Sequence, residues 1–146
     1  MLRVVLDANV LVSAILNPHG YPARILTAWR EGAINLVLSF AVLDEIARVL
    51  AYPKLQKWHG WSADQSAAFV AELAALASVV PVRTVILDGA KDPDEGRYLA
   101  CAIEGEADYI VSGDHHLLVL RRYHQIPILT PRLFVEVLNE TGGSNT

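Results

Sequence analysis

A short apolar run that ends on one acid constrains this chain more than any other stretch. Leu2 and Val4 to Leu6 read as a strand buried on both faces, and the run stops at Asp7. A helical pattern follows at once, with apolar residues at Val10, Leu11, Ala14 and Ile15. In open α/β sheets the carboxyl ends of the strands are where ligands bind. Asp7 also has a purely structural role open to it, as a helix N-cap accepting from the backbone N–H of Asn9 or Val10. The stretch alone leaves both open.

The rest of the chain repeats the alternation. Tyr21-Pro22 opens a helix that ends near Gly32, and Ile34 to Leu38 is a strand. Ser39 is a plausible cap for a helix over Ala41 to Leu50, with Val42, Ile46, Val49 and Leu50 inward. Lys54 to Gly60 is basic and aromatic and has no assigned structure. Ser62 and Gln65 form a capping box for an alanine-rich helix to about Ala77. Val79 to Val82 and Val85 to Leu87 are short β-rich runs, the first placed at an edge or in a loop by Pro81. Asp92-Pro93-Asp94-Glu95-Gly96 leads into a helix from Arg97 to about Glu106, and Tyr109 to Val111 is a strand ending on Ser112-Gly113-Asp114. A helix over His115 to Arg122, a strand at Ile128-Leu129 and a last helix from Thr130-Pro131 to near Glu140 complete the pattern. Strands separated by helices predict a three-layer α/β/α sandwich around a mostly parallel sheet. The expected organisation is a single domain over 1–140 and a disordered tail over 141–146.

Two strand ends are alike. Val4-Val5-Leu6-Asp7 and Tyr109-Ile110-Val111-Ser112-Gly113-Asp114 each run into an aspartate and then a helix. In a parallel sheet both ends share one edge, so Asp7 and Asp114 can converge. Glu45 lies on the shoulder of the inward face set by Val42, Ile46 and Val49, whereas Asp44 points further out. The acids from Asp92 to Glu95 open another helix. Each has a bland alternative: Asp7 and Asp114 as caps, Glu45 as a helical pair with Arg48, the later acids as first-turn residues complementing the helix dipole. Those alternatives do not by themselves predict acids at both buried strand ends.

Two carboxylates ~4 Å apart repel by about 4 kcal/mol at an effective dielectric of 20, so several together take up protons or hold a cation. Oxygen ligands without clustered Cys or His suit Mg²⁺ or Mn²⁺, and such a site handles phosphate oxygens. Metal-assisted phosphodiester hydrolysis is the leading chemistry. The net charge of −4, from 12 Lys+Arg against 16 Asp+Glu, argues on its face against nucleic acid. Setting aside Asp7, Glu45, Asp92, Asp94, Glu95 and Asp114 leaves ten acids against twelve bases, so the balance is neutral evidence.

Those residues and motifs resemble a family, the PIN-domain ribonucleases, and within it the VapC-type toxins of bacterial toxin–antitoxin pairs. The resemblance runs from Leu2 to Val137. It is carried by Val5 to Ala14, by Asp44-Glu45-Ile46-Ala47-Arg48-Val49-Leu50, and by Asp92 to Leu118, most strongly Ala107 to Asp114. It implies an endoribonuclease that uses Mg²⁺ or Mn²⁺, with Asp7, Glu45, Glu95 and Asp114 as catalytic, metal-binding acids and Asn9 and Ser112 as supporting polar residues. The third acid departs from the commonest pattern, whose position is held by Gly96; the nearer subfamily places it at Glu95, or secondarily at Asp94. The resemblance also implies an antitoxin partner and a homodimer or higher homo-oligomer, with the helix before Leu50 and the stretch from Phe69 to Leu76 as contact faces.

Arg48, Lys54 and Arg97 are candidate RNA contacts, with Lys57, Arg121 and Arg122 as further rim cations. His115 and His116 follow Asp114 directly, and Trp29, Trp58 and Trp61 have base stacking or burial open to them. Cys101 reads as a small core residue. A cytoplasmic location is expected, because Glu72 interrupts the longest apolar stretch and Asp7 falls where a signal peptide would be apolar. Hydrophobic residues make up 53% of the chain, which suggests apolar surface covered by a partner. Two other functions are compatible with parts of the pattern. One is a catalytically weakened PIN-fold module that binds RNA or protein. The other is a phosphatase with Asp7 as nucleophile, disfavoured by Asn9 and by the lack of lysine after Lys91.

Overall fold

The first strand can be apolar on both faces because it is central. In the computed structural model, which describes residues 1–83 and 93–143 except the side chains of 93, 94, 142 and 143, Val4, Val5 and Leu6 are buried on a strand with parallel neighbours on both sides. The described residues run, in chain order, through β1 (Leu2–Leu6), α1 (Ala8–Leu16), α2 (Tyr21–Arg30), β2 (Ile34–Ser39), α3 (Phe40–Leu50), α4 (Pro53–His59), α5 (Ala63–Leu76), β3 (Ser78–Val80), α6 (Pro93–Glu104), β4 (Tyr109–Val111), α7 (His115–Leu118), β5 (Arg122–Tyr123), β6 (Ile126–Leu129) and α8 (Pro131–Gly143).

The sheet has the order β3-β2-β1-β4-β6-β5. All pairings are parallel except β5 with β6. Val5 lies opposite Val37 of β2 on one side and Ile110 of β4 on the other. From β1 the chain adds β2 and β3 in one direction and β4 and β6 in the other. The crevice between β1 and β4 is therefore the switch point, where sheets of this kind open to ligands. This is the three-layer, mostly parallel α/β architecture that the alternating pattern predicts.

Caps and packing hold the elements. Ser39 accepts from Val42 N–H at 3.2 Å and starts α3. The Ser62–Gln65 box starts α5, with bonds of 2.8 and 3.1 Å. Thr130 Oγ1 accepts from Leu133 N–H at 3.2 Å at the start of α8. The core is one continuous cluster in which Leu36, Leu38, Ile46, Leu99, Ile110 and Phe134 are wholly buried. Each such side chain contributes about 1.5–3 kcal/mol through the water it leaves. Cys101 belongs to this core, where burial pushes its thiol up to about 12.

Four local expectations differ from the structure. The unassigned stretch after Tyr52 is the helix α4, started by Pro53 and ended by Gly60 at φ +69°; it buries no residue, so it has no apolar stripe to read. The helix after Asp114 stops at Leu118 rather than Arg122, because Arg121, His124 and Gln125 take left-handed conformations that turn the chain into the β5–β6 hairpin. The helix before Glu106 begins at Pro93 and ends at Glu104. The last helix continues through Gly143, past the expected end near Glu140, and 144–146 lie outside the described residues. The strand expected at Val85 to Leu87 also lies outside them. No helix among the described residues is long and apolar enough to cross a membrane.

Candidate active site

Asp7 caps α1 and faces β4 at the same time. Its Oδ1 accepts from Val10 N–H at 2.8 Å, its Oδ2 accepts from the Ser112 hydroxyl, and its own N–H donates to Val111 O at 3.2 Å. The cap and the strand-end site are thus one arrangement, with a different oxygen serving each. Asp7 is 3% exposed. Burial raises its carboxyl above the ordinary aspartate range; the Ser112 and Val10 donors pull it down, and Asp114 and Glu45 push it up again.

Ser112, wholly buried just past β4, is the link between the two strand-end acids. Its Oγ donates to Asp7 and accepts from Asp114 N–H at 2.9 Å. Asp114 is half-buried and caps α7, with Oδ1 accepting from His116 N–H at 2.9 Å.

Glu45 comes in from α3, half-buried, as its helical phase predicts, while Asp44 is exposed. Its Oε2 accepts from the Tyr98 hydroxyl at 2.8 Å and pairs with Arg97 Nη1 at 3.3 Å. Tyr98 is 5% exposed and in turn accepts from Ala8 N–H at 3.1 Å. Burial pushes its phenol upward, so the hydroxyl remains a donor across the physiological range. The sequence pattern did not single out Tyr98. It occupies an inward position of α6 where a plain apolar residue would serve, and its polar role depends on two distant elements.

Glu95, in the first turn of α6, is 2% exposed. The side chain of Asp94, and Asp92 altogether, lie outside the described residues. Asn9 is exposed, and none of the described hydrogen bonds uses its side chain. Among the candidate RNA contacts, Arg97 reaches an acid; Arg48 is exposed, and Lys54 is exposed with its Nζ 5.3 Å over the Trp58 ring. Trp29 is buried, Trp58 is exposed, and Trp61 packs against Phe69. His115 and His116 are both exposed.

Among the described residues no three acids, histidines or cysteines stand together as a ready-made metal cage. Asp7 and Asp114 share Ser112, and Glu45 is held by Tyr98 and Arg97. The donors are nonetheless all carboxylate oxygens, which match a small hard dication, and Asp7 is a buried acid beside two others whose charge a dication would offset. A separate groove of about 630 Å³, lined by Leu2, Arg24, Thr27, Val135 and Leu138, shares no residue with the acids.

The α/β/α domain thus places Asp7 and Asp114 at the switch point of its parallel sheet, with Glu45 on the neighbouring helix α3. The chain belongs to the PIN domain family, whose model, described as PIN domain, matches residues 3–116. PIN domains are generally nucleases, and PIN-domain nucleases generally use divalent metals. The chain is 29% identical over 143 residues to the uncharacterized protein MJ1680 of Methanocaldococcus jannaschii, covering 92% of this chain and 90% of that one. Its fold is similar to the crystal structure of PAE2754 from Pyrobaculum aerophilum, with TM-score 0.57 and 14% identity over 94% of this chain and 90% of that chain. It is similar also to VapBC2 from Rickettsia felis bound to a DNA fragment from their promoter, with TM-score 0.55 and 13% identity over 87% and 97%.

Proposed function

We propose that this protein is a Mg²⁺- or Mn²⁺-dependent endoribonuclease and the toxin component of a toxin–antitoxin pair. The observation that carries the chemistry is Asp7, buried at the β1–β4 crevice, linked through Ser112 to Asp114 and close enough to Asp114 and Glu45 for both to raise its carboxyl. Asp7, Glu45, Glu95 and Asp114 would hold the metal, with Asp94 the alternative third acid. A dication held there would supply charge neutralisation at the phosphate and would make a water more acidic. Ser112 and the Val10 N–H fix the direction of the Asp7 carboxylate, and Arg97, part-exposed beside Glu45, offers a cation to a phosphate of the RNA. No side-chain nucleophile is needed. The pairing with an antitoxin, which the fold shared with VapBC2 supports, belongs to the same proposal, as do a cytoplasmic setting and a homo-oligomer.

The test is cleavage of RNA by the purified protein with Mg²⁺ or Mn²⁺ and with EDTA, alongside Asp7→Asn and Asp114→Asn. Cleavage that survives EDTA, or either variant at full activity, overturns the proposal. One observation favours a second reading, a binding module with a weakened site: Glu45 is engaged by Tyr98 and Arg97 rather than gathered with Asp7. Calorimetric titration with Mn²⁺ separates the two, since the module requires no binding that depends on the four acids.

A further inference from the structure

Tyr98 is a buried phenol in a row of apolar neighbours. Leu99, Ala100, Cys101 and Ala102 on the same helix are all buried, and a phenylalanine would fill the same space without a polar atom to satisfy. The hydroxyl makes two bonds that reach different elements. It accepts the first N–H of α1, from Ala8, at 3.1 Å, and it donates to Glu45 Oε2 on α3 at 2.8 Å. That N–H is one of the orphan donors of a helix start, and Ala8 follows Asp7 directly. A single side chain from α6 therefore ties the backbone beside Asp7 to the carboxylate of Glu45. Arg97 approaches the same Oε2 at 3.3 Å from a more exposed side. Among the described residues Glu45 Oε1 accepts no hydrogen bond, so both donors bear on one oxygen and leave the other available.

We infer that Tyr98 is a positioning residue for the acid site: its hydroxyl sets where Glu45 stands relative to Asp7 and reserves Glu45 Oε1 for the metal. The inference rests on the nuclease reading above and deepens it. A donor chain running N–H to phenol to carboxylate holds its last member more firmly than an isolated bond would. Groups that orient metal-binding carboxylates are typically worth about 10–100-fold in metal affinity or activity. A tyrosine serving only to pack α6 would have no such effect when its hydroxyl is removed.

The experiment titrates Mn²⁺ into metal-stripped protein and reads free Mn²⁺ by electron paramagnetic resonance, for wild type and Tyr98→Phe. The expected result is about tenfold or greater weakening of Mn²⁺ binding in Y98F, with a cooperative metal-free melt. On RNA, kcat falls while KM for the RNA stays near the wild-type value, and raising Mn²⁺ restores part of the rate. Equal Mn²⁺ affinity in wild type and Y98F overturns this inference alone. A wild type that binds no Mn²⁺ overturns the nuclease reading with it. Glu45→Asp answers the same question without touching α6, because the shorter arm keeps the charge but withdraws it from Tyr98. E45D weakens Mn²⁺ binding, and adding Y98F to E45D costs little more. Unchanged affinity in E45D, or full additivity in the double variant, overturns the inference.

Discussion

The Ser112 hydroxyl and the Asp7 carboxylate meet across the β1–β4 crevice, both buried, although they stand 105 residues apart in the chain. Removing the hydroxyl leaves Asp7 Oδ2 without that donor and the Asp114 N–H without its acceptor. Ser112→Ala is therefore expected to lower stability by about 1–3 kcal/mol. Its metal-dependent cleavage of RNA should fall about 10–100-fold, since both strand-end acids lose their shared orientation. Denaturant unfolding and the rate at saturating metal measure the two effects separately.

Acidity gives a second prediction. Burial raises the Asp7 carboxyl in the folded protein, so the folded state holds that proton more tightly than the unfolded chain does. The stabilisation from this group is present below the ordinary aspartate range and is lost as pH rises towards the raised value. Metal-free wild type should then gain melting temperature relative to Asp7→Asn as pH falls from 7 to 4. The comparison matters because Glu72, lowered by its hydrogen bond to Arg30, contributes in the opposite sense in both proteins. A difference between the two melting curves that does not change with pH would count against a buried, ionisable Asp7.

Glu95 yields a third. A nearly inaccessible carboxylate in the first turn of α6 is an acid to which the fold has committed, and the proposed role is metal binding. Glu95→Gln, of the same shape, should weaken Mn²⁺ binding at least tenfold while the metal-free protein still melts cooperatively. Calorimetry and a thermal scan check the pair of outcomes. A variant that binds Mn²⁺ normally removes Glu95 from the ligand set.

Packing supplies a fourth, away from the acids. A Cβ added at Gly105 would lie 2.3 Å from Val37 Cγ1 and 3.1 Å from Cys101 O. Val37 is fully buried on β2 and cannot move aside, so Gly105→Ala should cost about 1–3 kcal/mol. Cleavage per folded molecule should be unchanged, because the crowding is between Gly105, just past the end of α6, and Val37 on β2, and touches none of the four acids.

Much of the fold was legible because its signals are local. An apolar run ending on an acid, repeated at Asp7 and Asp114, predicted two strand ends on one edge, and β1 and β4 are neighbours in the sheet. Ser39, Ser62 and Thr130 announced their helices through caps that need only the next three residues. The shoulder position of Glu45 followed from helical phase. What escaped depends on distant partners or on weak periodicity. The two-residue strand β5 meets β6 only because the chain turns back through the left-handed residues His124 and Gln125. Tyr98 looked apolar because its polar partners, Ala8 and Glu45, are 90 and 53 residues away. Asn9, matched by resemblance, is exposed, and residues of its kind cannot be told apart from solvated ones by spacing.

The central position of β1 divides the acids mechanically. Asp7 is bonded into the ladder that joins β1 to β4, and Asp114 leans on the same rung through Ser112. Opening that ladder requires breaking the middle of the sheet, so amide protons around Asp7 and Val111 should exchange only with global unfolding. Glu45 and Glu95 ride instead on α3 and α6, outside the ladder, and the Tyr98 hydroxyl ties Glu45 back to the Ala8 N–H beside Asp7. The strand-end acids are thus held by the sheet itself, while Glu45 is held to it through the hydroxyl of one side chain, Tyr98.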